Sequence, residues 1–184
     1  MTTAFPKPYA DLVARLRVPC GFLLVVAFAW LSQPGAHSLV YGLPIGVLGL
    51  FVRGWAAGHL AKNTRLAETG PYAYVRNPLY IGTLLVAAGL VAASQRWILA
   101  AIFAAVFLLV YLPVIQLEEQ HLRKLFPGYD SYARSVPALI PSWRRRRAEG
   151  RFRWNLYLRN EEYQASIGFI AGALFLGCKL LFMH

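Results

Sequence analysis

The stretch Trp97-Ile-Leu-Ala-Ala-Ile-Phe-Ala-Ala-Val-Phe-Leu-Leu-Val-Tyr-Leu-Pro-Val-Ile-Gln116 contains no charged side chain. A helix crossing the ~30 Å hydrocarbon layer needs about 20 mainly apolar residues. The stretch therefore reads as a membrane span. Similar blocks lie near Val18 to Ser32, Leu39 to Ala57, Leu79 to Ala93 and Gln164 to Phe182, the third of these being short. Of the 184 residues, 58% are hydrophobic and only 15% charged, which is too apolar for an ordinary soluble domain. The expected fold is all-α: a polytopic transmembrane helical bundle of about five spans, with residues 1–184 as a single domain. The chain has no internal repeat and no linker long enough to divide it. No small-residue cleavage site follows the first apolar block, so that block is expected to remain as a span.

Lysine and arginine in short loops favour the cytoplasmic side. Lys7, Arg15 and Arg17 precede the first span, and Lys62, Arg65 and Arg76 lie between the second and third. Arg123, Lys124, Arg134, the run Arg144 to Arg147, Arg151, Arg153 and Arg159 follow the fourth. The intervening sides hold only Arg96 and Lys179. This alternation predicts a cytoplasmic amino terminus and an outer carboxyl terminus. The net charge of +11 is therefore read as topology and attraction to anionic lipid, with no nucleic-acid partner expected. Arg151 to Tyr163 mixes aromatics with charges and suits an interfacial helix, giving an appended unit of interfacial helix and last span over 148–183.

Several residues carry plain structural readings. Cys20 and Cys178 stand alone in different spans with no metal-ligand spacing, so burial is expected for both, with neither disulfide nor zinc. His59 meets a polar loop at the end of a span and suits interfacial hydrogen bonding. Arg53 is the only charge well inside a span, and is expected to snorkel or to touch a head group. The pairs Gly42/Gly46, Gly54/Gly58 and Gly168/Gly172 have GxxxG spacing, which lets helices approach closely within one bundle or between copies. They leave the oligomeric state open.

The chemistry gathers in two stretches on the predicted cytoplasmic side. The first is Leu66-Ala-Glu-Thr-Gly-Pro-Tyr-Ala-Tyr-Val-Arg-Asn-Pro-Leu-Tyr-Ile-Gly82. Gly70-Pro71 makes a turn, and Pro78 suits the first turn of a helix, where its missing N–H costs nothing. Free N–H groups and the positive end of the helix dipole then collect near Arg76 and Asn77, an arrangement that attracts carboxylates. The second stretch is Glu118-Glu-Gln-His-Leu-Arg-Lys-Leu-Phe-Pro-Gly-Tyr-Asp-Ser-Tyr132. If the fourth helix runs straight, both acids sit just past its apolar part and point about 100° apart. Glu119 can pair with Arg123 on the helix surface at i,i+4. Glu118 has no such partner, which makes it the stronger site candidate.

Together, Gly70-Pro-Tyr-x-Tyr-x-Arg-Asn-Pro-x-Tyr-x-Gly82 and Glu118-Glu-x-x-Leu-x-x-x-Phe-x-x-Tyr-x-x-Tyr132 resemble the membrane family of isoprenylcysteine carboxyl methyltransferases and phospholipid methyltransferases. The resemblance covers about residues 66–141. It implies methyl transfer from S-adenosyl-L-methionine in a helical bundle that holds this cofactor at the cytoplasmic face, with a lipophilic acceptor drawn from the bilayer. Tyr72, Arg76, Asn77, Pro78, Tyr80, Glu118 and Glu119 fall at cofactor-binding positions, and Glu118 and Arg134 at catalytic ones. Tyr129 and Tyr132 match aromatic positions that close the pocket. Asn77 stands where the family commonly has His, and Ser135 stands where the prenylcysteine enzymes carry an Arg for the substrate carboxylate. Two other classes differ in what they need. A sterol-type membrane reductase binds a nicotinamide dinucleotide, and a small transporter or scaffold places polar groups near the bilayer midplane.

Overall fold

The computed structural model describes residues 6–142 and 150–182, so the Arg144 to Arg147 run and His184 lie outside the described residues. Among the described residues every regular element is helical. In chain order these are α1 (Lys7–Leu31), α2 (Ala36–Ala57), a 3-10 turn (Gly70–Ala73), α3 (Pro78–Ser94) and α4 (Trp97–Val106). A π turn (Phe107–Tyr111), α5 (Leu112–Leu125), α6 (Tyr129–Ser135), α7 (Trp154–Arg159) and α8 (Tyr163–Phe182) follow. Three helical stretches are long and apolar enough to cross a membrane: Ala36–Ala57, the continuous Trp97–Leu125, and Tyr163–Phe182. Val18–Leu31 and Pro78–Ser94 are apolar but shorter. The expected interfacial helix is confined to the two turns of α7.

α2 and α3 form the tightest pair, because glycines on both remove side chains from the contact. A Cβ on Gly42 would lie 2.5 Å from the Ala93 nitrogen, and one on Gly49 would lie 2.6 Å from the Gly82 carbonyl oxygen. Gly46 and Gly89 meet backbone to backbone. The Gly42/Gly46 spacing thus serves packing within the chain, whereas Gly168 has nothing near it. At the far end of this pair the Ser38 hydroxyl donates to the Ala93 carbonyl at 2.8 Å. The last carbonyls of α1, which have no helical partner, accept from basic side chains there. Lys179 Nζ donates to Ala29 O at 2.8 Å and Arg96 Nε to Leu31 O at 3.3 Å.

The fourth apolar stretch is not straight. Pro113 offers no N–H to the Leu109 carbonyl four residues before it, and the helix widens into a π turn just upstream. The phenol of Tyr9 on α1 donates to that Leu109 carbonyl at 2.6 Å. Val13, Val110 and Val114 pack beside this contact, with Cys20 at the edge of the cluster. Cys178, expected to be buried, is exposed on the outer surface of α8. In a membrane-spanning helix that surface is itself apolar surroundings, so a small sulfur side chain faces it without penalty.

Candidate active site

The two motifs, far apart in sequence, are stitched together by backbone. Arg76 N donates to Pro137 O and Ser142 N to Tyr74 O, both at 2.9 Å. The Tyr132 hydroxyl donates to the Tyr72 carbonyl at 2.8 Å. Gly70, at φ +60°, makes the turn that starts this loop, and a side chain there would strike the His59 ring. His59, in the turn just past α2, bonds back to Trp55 O at 2.9 Å through Nδ1. On α6, Tyr129, Tyr132 and Val136 face inward against Leu66, Leu122 and Phe126, fixing the loop on α5.

Between these parts lies a cavity of about 780 Å³. Its wall includes Tyr72, Arg76, Asn77, Tyr80 and Glu118, together with Arg53, Thr83, Tyr111, His121, Tyr129 and Tyr132. Seven of the residues picked out by sequence, with Tyr129 and Tyr132 counted, therefore share one space. Pro78 is fully buried as the first residue of α3 and shapes the wall from behind. Arg134 does not reach the cavity: it is exposed on α6, on the side away from Tyr132. Two positions along a helix turn a side chain by about 200°, which explains the miss.

Glu118 and Glu119 divide as their helical phase requires. Glu118 is exposed at the cavity rim. Glu119 points inward and is more than the surface partner of Arg123, from which it lies 3.8 Å. Its Oε1 is 3.1 Å from Arg76 Nη2, both side chains being only 14% exposed. The Asn77 amide donates to Glu119 Oε1 at 3.5 Å and to Ala138 O at 3.1 Å. Arg76 Nη1 donates to Ala133 O at 3.2 Å, and its Nε is buried with no hydrogen-bond partner.

Arg53 departs from the sequence expectation. Its guanidinium bonds Glu162 at the foot of α8 and Thr83 on α3, and it lines the cavity instead of reaching for the bilayer surface. Gly82, the last residue of the first motif, leaves room for its stem. Glu162 is buried, and its neighbour Asn160 donates to Ala57 O and Leu60 O at 3.0 and 2.9 Å, closing the end of α2. The sequence signal for this pair was an arginine within one apolar block and an acid just before another.

Burial pushes the Tyr72 phenol far above its ordinary range, with Tyr132, Glu162 and Glu118 adding to the effect. Burial, then the Glu119 carboxylate, does the same to Tyr129. Both phenols are therefore neutral donors and not bases at any physiological pH.

The sequence profile of the phospholipid methyltransferase family matches residues 45–128, which hold Arg76, Asn77 and Glu118 of this cavity and the Glu119 that pairs with Arg76 behind it. The chain is also 34% identical over 151 residues to the nickel-cobalt-cadmium resistance protein NccN of Alcaligenes xylosoxydans xylosoxydans, covering 75% of this chain and 70% of the relative. The chain belongs to the phospholipid methyltransferase family. It is also 35% identical to the cobalt-zinc-cadmium resistance protein CzcN of Cupriavidus metallidurans, over 64% of this chain and 61% of that protein. The protein-S-isoprenylcysteine O-methyltransferase of Schizosaccharomyces pombe is 27% identical over 73% of this chain and 59% of its own length. No solved structure matches the chain. Family and yeast relative together support a membrane methyltransferase, and the apolar helices support an integral membrane protein.

Proposed function

We propose that this chain is a single-domain, S-adenosyl-L-methionine-dependent membrane methyltransferase that acts on a lipophilic acceptor at the cytoplasmic membrane face. The observation that carries the reading is the convergence of Tyr72, Arg76, Asn77, Tyr80 and Glu118 on one cavity. Its volume of about 780 Å³ falls within the roughly 300–1,000 Å³ typical of small-molecule sites. The residues also fit the group chemically. Arg76, whose buried Nε lacks a partner, lies beside the N-terminus of α3 and would hold the cofactor's carboxylate. Aromatic faces at Tyr80, Tyr111 and Tyr129 suit a sulfonium cation.

Bound there, the cofactor supplies an activated methyl group for in-line displacement. The chain's own work is alignment and exclusion of water, for which Leu79, Val114, Leu117, Leu122 and Phe126 provide an apolar wall. Glu118 is the rim group able to take a proton from an amine acceptor, whereas a carboxylate or thiolate needs no base. Glu119 and Asn77 hold Arg76 in place.

Calorimetry on detergent-solubilised protein tests the cofactor. Binding of S-adenosylmethionine or S-adenosylhomocysteine is expected, with no response to nicotinamide dinucleotides. The reverse preference sinks the reading in favour of a reductase. A screen of lipids and thiols with labelled cofactor then identifies the acceptor. Single-cysteine labelling in intact cells tests the orientation, with positions in the loop 60–78 expected to be cytoplasmic. The two resistance-named relatives extend the reading to metal tolerance. On this reading the tolerance arises through a methylated membrane component.

A further inference from the structure

Arg53 and Arg76 both line the cavity, and they stand at different depths. Arg76 precedes α3, whereas Arg53 comes from α2 and bonds Thr83 in the second turn of α3. Thr83 lies about 8 Å farther along that helix than Pro78, at 1.5 Å per residue. The Arg53 Nε donates to Glu162, and its Nη1 to Thr83 Oγ1 and, at 3.5 Å, to Leu79 O. Its Nη2 has no partner among the described residues. Among those residues Arg76 Nε is the only buried side-chain nitrogen or oxygen without a partner, so Arg53 Nη2 is not sealed in protein. The Arg53 side chain keeps 23% exposure against 8% for Glu162, which is not part of the cavity wall.

Glu162 offsets the charge of Arg53, but an N–H left without an acceptor among apolar neighbours is costly. Leu79, Val114 and Leu117 supply such neighbours on the same wall. A guanidinium offers donors only, so an ammonium has nothing to bond there, whereas carboxylate and phosphate oxygens match its fork. S-adenosylmethionine carries one carboxylate, and Arg76 beside the start of α3 is the group that suits it. A second guanidinium, deeper along the helices, is left for a second ligand. We propose that Arg53 binds an anionic oxygen, phosphate or carboxylate, of a ligand whose apolar tail lies against Leu79, Val114 and Leu117. On the methyl-transfer reading, on which this step rests, that ligand is the methyl acceptor, so the acceptor is an anionic lipid. The anion site itself does not depend on that reading.

The test uses the full chain in dodecylmaltoside and three probes that share one tail: dodecyl phosphate, dodecanoate and dodecanol. Each is titrated while the thermal midpoint is followed. At least one anion is expected to reach half-maximal stabilisation about tenfold below dodecanol, the ratio that one charge-assisted hydrogen bond supplies. The better anion tells a phosphate-bearing acceptor from a carboxylate. Arg53→Lys keeps a cation for Glu162 without the fork, and Arg53→Gln/Glu162→Gln removes both charges together, so a folded protein is expected from at least one. In either variant the ratio should fall below about twofold, while Arg53→Lys leaves the affinity for S-adenosylhomocysteine unchanged. Equal responses to the three probes in the unaltered chain would overturn the proposal, as would an anion preference that survives both variants. A loss of S-adenosylhomocysteine affinity in Arg53→Lys would assign Arg53 to the cofactor and overturn it too. An Arg53-dependent anion preference in a chain that does not bind S-adenosylhomocysteine would uphold the anion site and sink the methyl-transfer reading instead.

Discussion

Arg76 Nη2 and Glu119 Oε1 lie 3.1 Å apart, joining the loop that opens α3 to the last turns of α5. The cation of the first motif and an acid of the second are thus one unit, and Arg123 extends it to Asp130 at 3.1 Å. Removing one partner leaves a largely buried charge uncompensated. Glu119→Gln is therefore expected to lower stability by about 2 to 3 kcal/mol, under the full cost of a wholly buried pair because both groups keep some exposure. Glu118→Gln, at an exposed rim position, should cost less stability than Glu119→Gln while weakening cofactor binding or turnover. Thermal unfolding in detergent, read beside a binding titration, separates the two acids. Equal effects on stability would return Glu119 to an ordinary surface pair.

Asn77 stands at the N-cap position of α3 without a side-chain capping bond and uses its amide on Glu119 and Ala138, so it joins three parts of the site. His offers a donor and an acceptor from a side chain of similar reach, and Asn77→His is expected to preserve binding and methyl transfer. Asn77→Leu keeps bulk and loses polarity. A lost buried contact costs about 1 to 3 kcal/mol, or roughly 5- to 150-fold in cofactor affinity. Unchanged affinity in the Leu variant would show that the contacts of Asn77 with Glu119 and Ala138 do not serve cofactor binding.

The apolar blocks and the two motifs were legible because each depends on local composition: a run without charge, a Pro after Asn at a helix start, two acids at a helix end. The five helical segments fall where the blocks were read. What sequence left hidden depends on contacts between segments. The π turn at Phe107–Tyr111 adds a residue to one turn and so resets the phase of everything after it, which decides that Glu119 turns inward. Arg53 looked like a snorkelling residue because its partner Glu162 lies over a hundred positions later. Arg134, next to the Ser135 that replaces the family's Arg, is exposed on α6 outside the cavity lining, as its position on a regular element implied.

The glycine contacts separate packing from spacing. A methyl group on Gly89 would push against the backbone of Gly42 and Gly46, so Gly89→Ala should destabilise by about 1 to 3 kcal/mol and lower the folded yield in detergent. Gly168→Ala, at a position with open space around it, should be neutral or slightly stabilising, since Ala is the better helix former. Size-exclusion profiles of the two variants check this. A monodisperse, fully stable Gly89→Ala protein would show that α2 and α3 can separate without cost.

The two neutral phenols predict a pH window. Tyr72 and Tyr129 both hold their protons more tightly in the folded chain than a free phenol does, chiefly through burial. A group whose folded pKa is raised contributes stability that is fully present below its unfolded pKa, about 10 for tyrosine, and is lost as pH climbs from there through the folded value. Their contribution should therefore be constant between about pH 6 and 9, with a decline beginning above about 10. Lysines titrate in the same region, so the absolute slope is not diagnostic. The comparison that isolates the phenols is the protein against Tyr72→Phe/Tyr129→Phe. The double variant keeps the rings and removes both ionisable groups, so its thermal midpoint should fall less steeply above pH 10. Parallel curves for the two proteins would mean that neither phenol resists ionisation in the fold, and the reading of Tyr72 and Tyr129 as fixed neutral donors in the cavity would fall with it.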